Sequence, residues 1–126
     1  MLYFVAPTAL EIQLSQAPVS VEIVTEDRAA PVVVRVIGEL DFATSPQLEA
    51  AIQGTQNGTP RVVIVDFTRC RYLDSSVLTI LVRSYKALTD SLRIVIPEDA
   101  QIRRIFNITN LDKLLRIEAT VADATD

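Results

Sequence analysis

Residues 62–78 read VVIVDFTRCRYLDSSVL, and the fold follows from how this stretch is divided. Val62 to Val65 form an uninterrupted apolar run. A strand reads this way when both its faces are covered, as in a parallel sheet between helices. Asp66-Phe67 closes the strand, and Thr68 to Leu73 are expected to form a short loop. Asp74-Ser75-Ser76 then opens a helix reaching about Leu88. Downstream, Leu92 to Ile96 is a further strand stopped by Pro97. Ile102, Ile105 and Phe106, at i, i+3 and i+4, predict a helix over about Asp99 to Asn107. Leu111 to Ile117 is expected to be a last edge strand, and the small, acidic tail ATVADATD a frayed helix.

Upstream, GTQNGTP (54–60) is a loop. It follows a helix for which Ser45 is the expected N-cap and Pro46 the first helical residue, with Leu48, Ala51 and Ile52 facing inward. Val32 to Ile37, ended by Gly38, and the alternating Val19, Val21 and Ile23 predict two strands of a hairpin around Glu26-Asp27-Arg28. Leu10, Ile12 and Leu14 alternate with Glu11 and Gln13 and hint at one more short strand. The predicted order is ββαβαβαβ. This is an α/β layered domain with a mixed sheet of four to five strands and helices packed on it. Residues 1–18 are set apart as an N-terminal extension and 19–126 as the single domain.

Composition narrows the chemistry. The chain has 126 residues, 49% of them apolar, and a formal net charge of -4. That balance opposes nonspecific attraction to nucleic acid or anionic lipid, so no direct nucleic-acid binding is expected. The single cysteine, Cys70, forms neither an internal disulfide nor a multi-thiolate metal site, and a reducing, cytoplasmic compartment is expected. There is no histidine, which removes the usual base of serine and cysteine hydrolases and the commonest zinc ligand. The first residues lack a basic region and are interrupted by Pro7, Glu11 and Gln13, unlike a signal peptide. No stretch has the length and apolarity of a membrane span. No catalytic residue, metal site or cofactor is expected.

The stretch around Ser76 carries the most chemistry. Asp74 is placed to cap the helix, with Ser75 and Ser76 in its first turn. Backbone N–H groups there lack helical partners, and the helix dipole adds positive potential, so a phosphate is locally tolerated. At about 100° per residue, Val77, Leu78, Leu81, Val82, Tyr85 and Leu88 share the apolar side. Ser76, Thr79, Arg83 and Lys86 share the polar side. Taken alone, such a pattern is a helix cap followed by a solvated face.

Three patches together resemble one family. Gly38-Glu39-Leu40-Asp41 looks like the Gly-Glu-Leu-Asp of the STAS domain family. Val65-Asp66-Phe67 followed by Tyr72-Leu73-Asp74-Ser75-Ser76 is similar to its Asp-Ser-Ser-Gly-Leu-Gly phosphorylation site. Ile105-Phe106-Asn107-Ile108-Thr109-Asn110-Leu111 resembles its helix ending in Thr-Gly-Leu. The resemblance spans about residues 19–120 and points to the anti-sigma factor antagonist branch. It implies a protein that binds an anti-sigma factor which is also a serine kinase. It further implies that phosphorylation of the second serine switches binding off and that a phosphatase restores it. Carried over, Ser76 is the phosphoacceptor, and Asp41, Asp74, Ser75, Thr79 and Arg83 lie with it on the partner-binding face. Val77 and Thr79 stand where the family has glycines, and Asn110 where it has another. A branched Val77 beside Ser76 is expected to hinder a kinase, whereas Asn110 tolerates left-handed geometry.

Two other functions remain open at this point. The first is a STAS scaffold or partner subunit that is never phosphorylated, in a stress-sensing assembly or beside a transporter. The second is a phospho-accepting receiver domain, in which Asp66 would imitate the acceptor, although neither Lys86 nor Lys113 follows a strand as its late lysine would. An enzyme is the least favoured class, a Ser76–Lys86 hydrolase being its only candidate. Oligomeric state is not fixed by the sequence.

Overall fold

The computed structural model describes residues 21–26 and 31–126. The expected strand around Leu10 to Leu14, the extension 1–18, Val19 and the tip of the hairpin lie outside the described residues. Five strands line up in chain order: β1 (Val21–Glu26), β2 (Val32–Leu40), β3 (Val63–Leu73), β4 (Leu92–Val95) and β5 (Arg116–Glu118). β1 runs antiparallel to β2, and every later pairing is parallel. The predicted mixed α/β sheet is therefore present.

β3 is the central strand, and its apolar run has the predicted cause. Val63 and Val65 point into the main core with Val34, Val36, Ile94 and Phe67. Ile64 points to the other face, where it packs with Val33, Val95 and Ala124. Both faces are covered, so no polar residue interrupts the run.

The expected loop Thr68 to Leu73 is instead the second half of β3. Arg35 pairs with Asp66 but Ile37 pairs with Arg69; Gly38 pairs with Cys70 but Glu39 pairs with Tyr72. Each step leaves one additional residue on β3, as a β-bulge does. The two irregularities break the period of two, so Cys70 is buried after the exposed pair Thr68-Arg69 and Leu73 after the exposed pair Arg71-Tyr72. Gly38 sits beside the second bulge with φ 104°, a conformation that disfavours any side chain. Gly38→Ala is expected to cost about 1–3 kcal/mol, read as a lower urea midpoint at unchanged m-value.

The main face carries α1 (Ser45–Gly54), α2 (Ser75–Leu88) and α3 (Arg103–Ile108), through Leu48 and Ile52, Val77, Leu78, Ile80 and Leu81, and Phe106. α1 begins one residue earlier than expected. Thr44 is its N-cap residue, Ser45 is already helical and buried, and Pro46 follows it. The segment before α3 winds through i→i−3 bonds, such as Arg103 N to Ala100 O and Arg104 N to Gln101 O, so the regular helix is shorter than its periodicity suggested. Asn110 adopts φ 60°, ψ 17°, as left-handed geometry requires. Leu111–Leu114, expected as strand, is a helical turn (α4), and only Arg116–Glu118 pairs with the sheet. The tail is helical over Val121–Thr125 (α5) and closes the second face. Arg93 of β4 donates to the carbonyls of Ala124 (2.6 Å) and Thr125 (3.2 Å), and Arg116 to that of Asp123 (3.3 Å).

Candidate functional site

Strand β3 ends at Leu73, and the chain turns directly into α2. Asp74 is the N-cap with extended backbone, φ −111° and ψ −178°. Its Oδ1 accepts from the Ser76 backbone N–H at 2.9 Å and from the Ser76 hydroxyl. Its Oδ2 accepts from the Phe42 N–H at 2.9 Å, across a separation of 32 residues. One carboxylate thus caps α2, fixes the Ser76 hydroxyl and ties the β2–α1 turn to it.

These donors favour the charged form. The Ser76 hydroxyl above all, joined by the Ser76, Phe42 and Val77 N–H groups, holds the Asp74 carboxyl below its ordinary 3.8 against the opposing effect of desolvation. A depressed pKa in the folded state gives stability that is present above 3.8 and lost as pH falls through the folded value. Asp74→Ala is expected to cost about 0.5–2 kcal/mol at neutral pH. Its penalty should shrink when urea unfolding is repeated on the acid side of the ordinary carboxylate value.

The neighbouring turn is built separately. Asp41 Oδ1 accepts from the N–H groups of Ala43 and Thr44, each at 3.0 Å, and from the Thr44 hydroxyl at 2.9 Å. The Asp41 carbonyl accepts from Ser45 N at 2.7 Å. Asp41 therefore organises the entry to α1, and its carboxylate is largely engaged by its own turn. This turn leaves Phe42 80% exposed, next to the residue that holds Ser76.

Along α2, Ser75 and Thr79 are exposed and Ser76 is half-buried. The Thr79 hydroxyl donates to the Ser75 carbonyl at 3.3 Å. Arg83 reaches across to α1, its Nη1 lying 2.7 Å from Glu49 Oε2. Phe42, Glu49, Ser76, Thr79 and Arg83 line one shallow depression between α1 and α2. Thr79 and Arg83 also border a second groove with Leu78, Val82, Lys86 and Leu111. Asp74, Ser75, Ser76, Thr79 and Arg83 are thus brought together, with Asp41 one residue behind the rim.

Val77 has 0% of its surface exposed and lies in the core. The expected obstruction beside Ser76 is therefore absent at that residue. Of the two side chains standing where the resembled motif has glycine, only Thr79 meets solvent. Phe42 and Glu49 were not singled out from sequence. An aromatic directly after Asp41, in a segment about to cap a helix, was the one available signal for Phe42. Glu49 reads as an ordinary surface glutamate until α1 and α2 are placed side by side.

The other candidate residues lie elsewhere. Asp66 is buried on the opposite face of the sheet, with Arg35 Nε at 3.7 Å and the Thr68 N–H at 2.9 Å. Lys86 is exposed on α2, about 15 Å along the axis from Ser76 by helical rise, while the Ser76 hydroxyl donates to Asp74. Burial pushes the Cys70 thiol pKa upward, which disfavours the reactive thiolate. No helix among the described residues is long and apolar enough to cross a membrane.

An α/β sheet covered by helices on both faces, presenting a serine at the start of the helix that follows its central strand, defines a class of small binding domains. The STAS domain family model matches residues 20–124, and the chain belongs to that family. It is 28% identical over 109 residues to the anti-sigma-F factor antagonist RsfB of Mycobacterium tuberculosis, covering 86% of this chain and 89% of that protein. It is 31% identical over 100 residues to an anti-sigma-B factor antagonist of Staphylococcus aureus, covering 78% and 91%. The crystal structure of an anti-sigma factor antagonist from Mycobacterium paratuberculosis superposes with a TM-score of 0.73 at 33% identity, covering 86% of this chain and 93% of that one. These homologues support the role of an anti-sigma factor antagonist.

Proposed function

We propose that this protein is a cytoplasmic anti-sigma factor antagonist that binds an anti-sigma factor acting also as a serine kinase, and is switched off by phosphorylation of Ser76. The binding face comprises Asp41, Asp74, Ser75, Ser76, Thr79 and Arg83, with Phe42 as its apolar element. A phosphatase returns the protein to the binding state. Residues 19–126 form the binding domain and 1–18 an extension to it.

The observation that carries this reading is the Ser76 hydroxyl. It lies in the first turn of α2, on the rim of the depression that contains Phe42, and is held by Asp74. A phosphoryl group there adds a charge of about −1.5 to −2 beside a carboxylate, on a chain already at -4. Intact mass and phosphopeptide mapping of the protein from its own host, before and after phosphatase, tests the reading. One phosphate on Ser76, removed by phosphatase and absent from Ser76→Ala, supports it. An unmodified Ser76 under several growth conditions sinks it.

Thr79 favours one second reading. Its side chain fills the surface where the resembled motif has glycine, which suits a STAS scaffold or transporter-partner domain that no kinase engages. The scaffold reading predicts a large particle in native mass measurement, the switch a small one.

A further inference from the structure

We propose that Arg83 is the counter-ion of a phosphoryl group on Ser76, reached by exchanging its partner Glu49 for the phosphate. This deepens the reading of Ser76 as a phosphoacceptor and rests on it.

Ser76 and Arg83 are seven residues apart on α2, two turns along one face, with about 10.5 Å of rise between them. Helix side chains lean toward the N-terminus, so the long Arg83 chain extends back toward Thr79 and Ser76. Both residues line the same depression, and among the described residues that line it Arg83 is the only cation. Its present partner holds it loosely. The Arg83–Glu49 pair spans 2.7 Å, but the Arg83 side chain is 61% exposed, and such pairs contribute little. A phosphoserine offers three acceptor oxygens and nearly twice the charge of a carboxylate, and guanidinium binds it through two parallel hydrogen bonds.

The surrounding charges sharpen the competition. Asp74 at the cap of α2 and Asp41 in the turn before α1 repel the phosphate. Glu49 on α1 competes for Arg83, and Lys86 borders the adjoining groove. Once Arg83 turns to the phosphate, the Glu49 carboxylate is left uncovered on the same face. The modification then presents two anionic groups where the unmodified protein presents a hydroxyl and a neutralised pair.

The test needs no kinase. Phosphoserine is installed at position 76 of the full chain during translation, and its second ionisation is followed by ³¹P NMR between about pH 4 and 8 (ordinary value about 6). In the parent protein it should lie below that value. Arg83→Gln should raise it by roughly half a pH unit or more, with Arg83→Lys in between. Glu49→Gln should lower it further, and by less when Arg83→Gln is also present, a dependence that a purely structural role for Arg83 would not produce. Identical titrations for the parent and Arg83→Gln, both with native circular dichroism, overturn the proposal. Failure to find phosphate on Ser76 in the host instead overturns the switch reading, while the titration still reports the Arg83 contact.

Discussion

Ser76→Glu is expected to weaken binding to the anti-sigma factor by at least about a hundredfold, and Ser76→Ala to leave it within a few fold. Two to three steps of about 1.4 kcal/mol, each tenfold in affinity, are what a new anion on this face is asked to supply. Their source is local. The Ser76 hydroxyl now donates to Asp74, so a carboxylate or phosphate at that position meets a negative group in place of an acceptor. In a complex the same anion must shed its water next to Phe42, whose ring is exposed and offers no compensating donor. The Asp74–Phe42 tie and the Asp41 turn remain available in the variant, so its unfolding midpoint should stay close to that of the parent. Calorimetric titration against the anti-sigma factor, paired with urea unfolding, separates the two effects. Equal affinities for the Ser76→Glu and Ser76→Ala variants would refute the electrostatic account.

Phe106→Ala should be the most damaging single truncation on the site side of the sheet, at about 3–5 kcal/mol. Phe106 is fully buried, and its ring lies 6.4 Å from that of Phe67, tilted by 49°. It anchors α3 against the central strand, and the chain leaving α3 carries Thr109 and Leu111 to the groove beside α2. Against a typical domain stability of about 5–15 kcal/mol the loss is large, and Tm should fall by more than about 10 °C. Ile108, two residues on, is 68% exposed, and Ile108→Ser should stay within about 0.5 kcal/mol. A thermal melt of the two variants side by side decides whether α3 is held by its buried ring or by its surface.

Most of the layer order was legible in the sequence because each pattern had one physical cause. The Val62–Val65 run reports a strand covered on both faces, and the α2 stripe reports a helix with one wet side. Asp74 was legible as a cap because it is a good capping residue standing just before the apolar helical run that begins at Val77. The second half of β3 was not legible, since two bulges replace strict alternation with an irregular spacing that resembles a loop. The entry to α1 was misplaced by one residue because Asp41, four positions before Ser45, organises the turn that a capping serine was expected to organise. The Leu111–Leu114 turn reads as strand by apolar content alone; the left-handed Asn110 before it sets its direction. The Arg83–Glu49 pair joins residues 34 apart, and only the packing of α1 on α2 reveals it.

The bulged half of β3 separates residue identity from residue number. The Thr68 hydroxyl donates to the buried Asp66 carboxylate, but Arg69 and Arg71 are exposed, so genetic drift is free to rewrite them. Their count is another matter. Removing one residue would slide Cys70, Leu73 and the start of α2 relative to β2, turn buried side chains outward and carry Ser76 away from Phe42. Over evolutionary time this segment should therefore accept substitutions readily and deletions hardly at all, keeping the ruler while changing its markings.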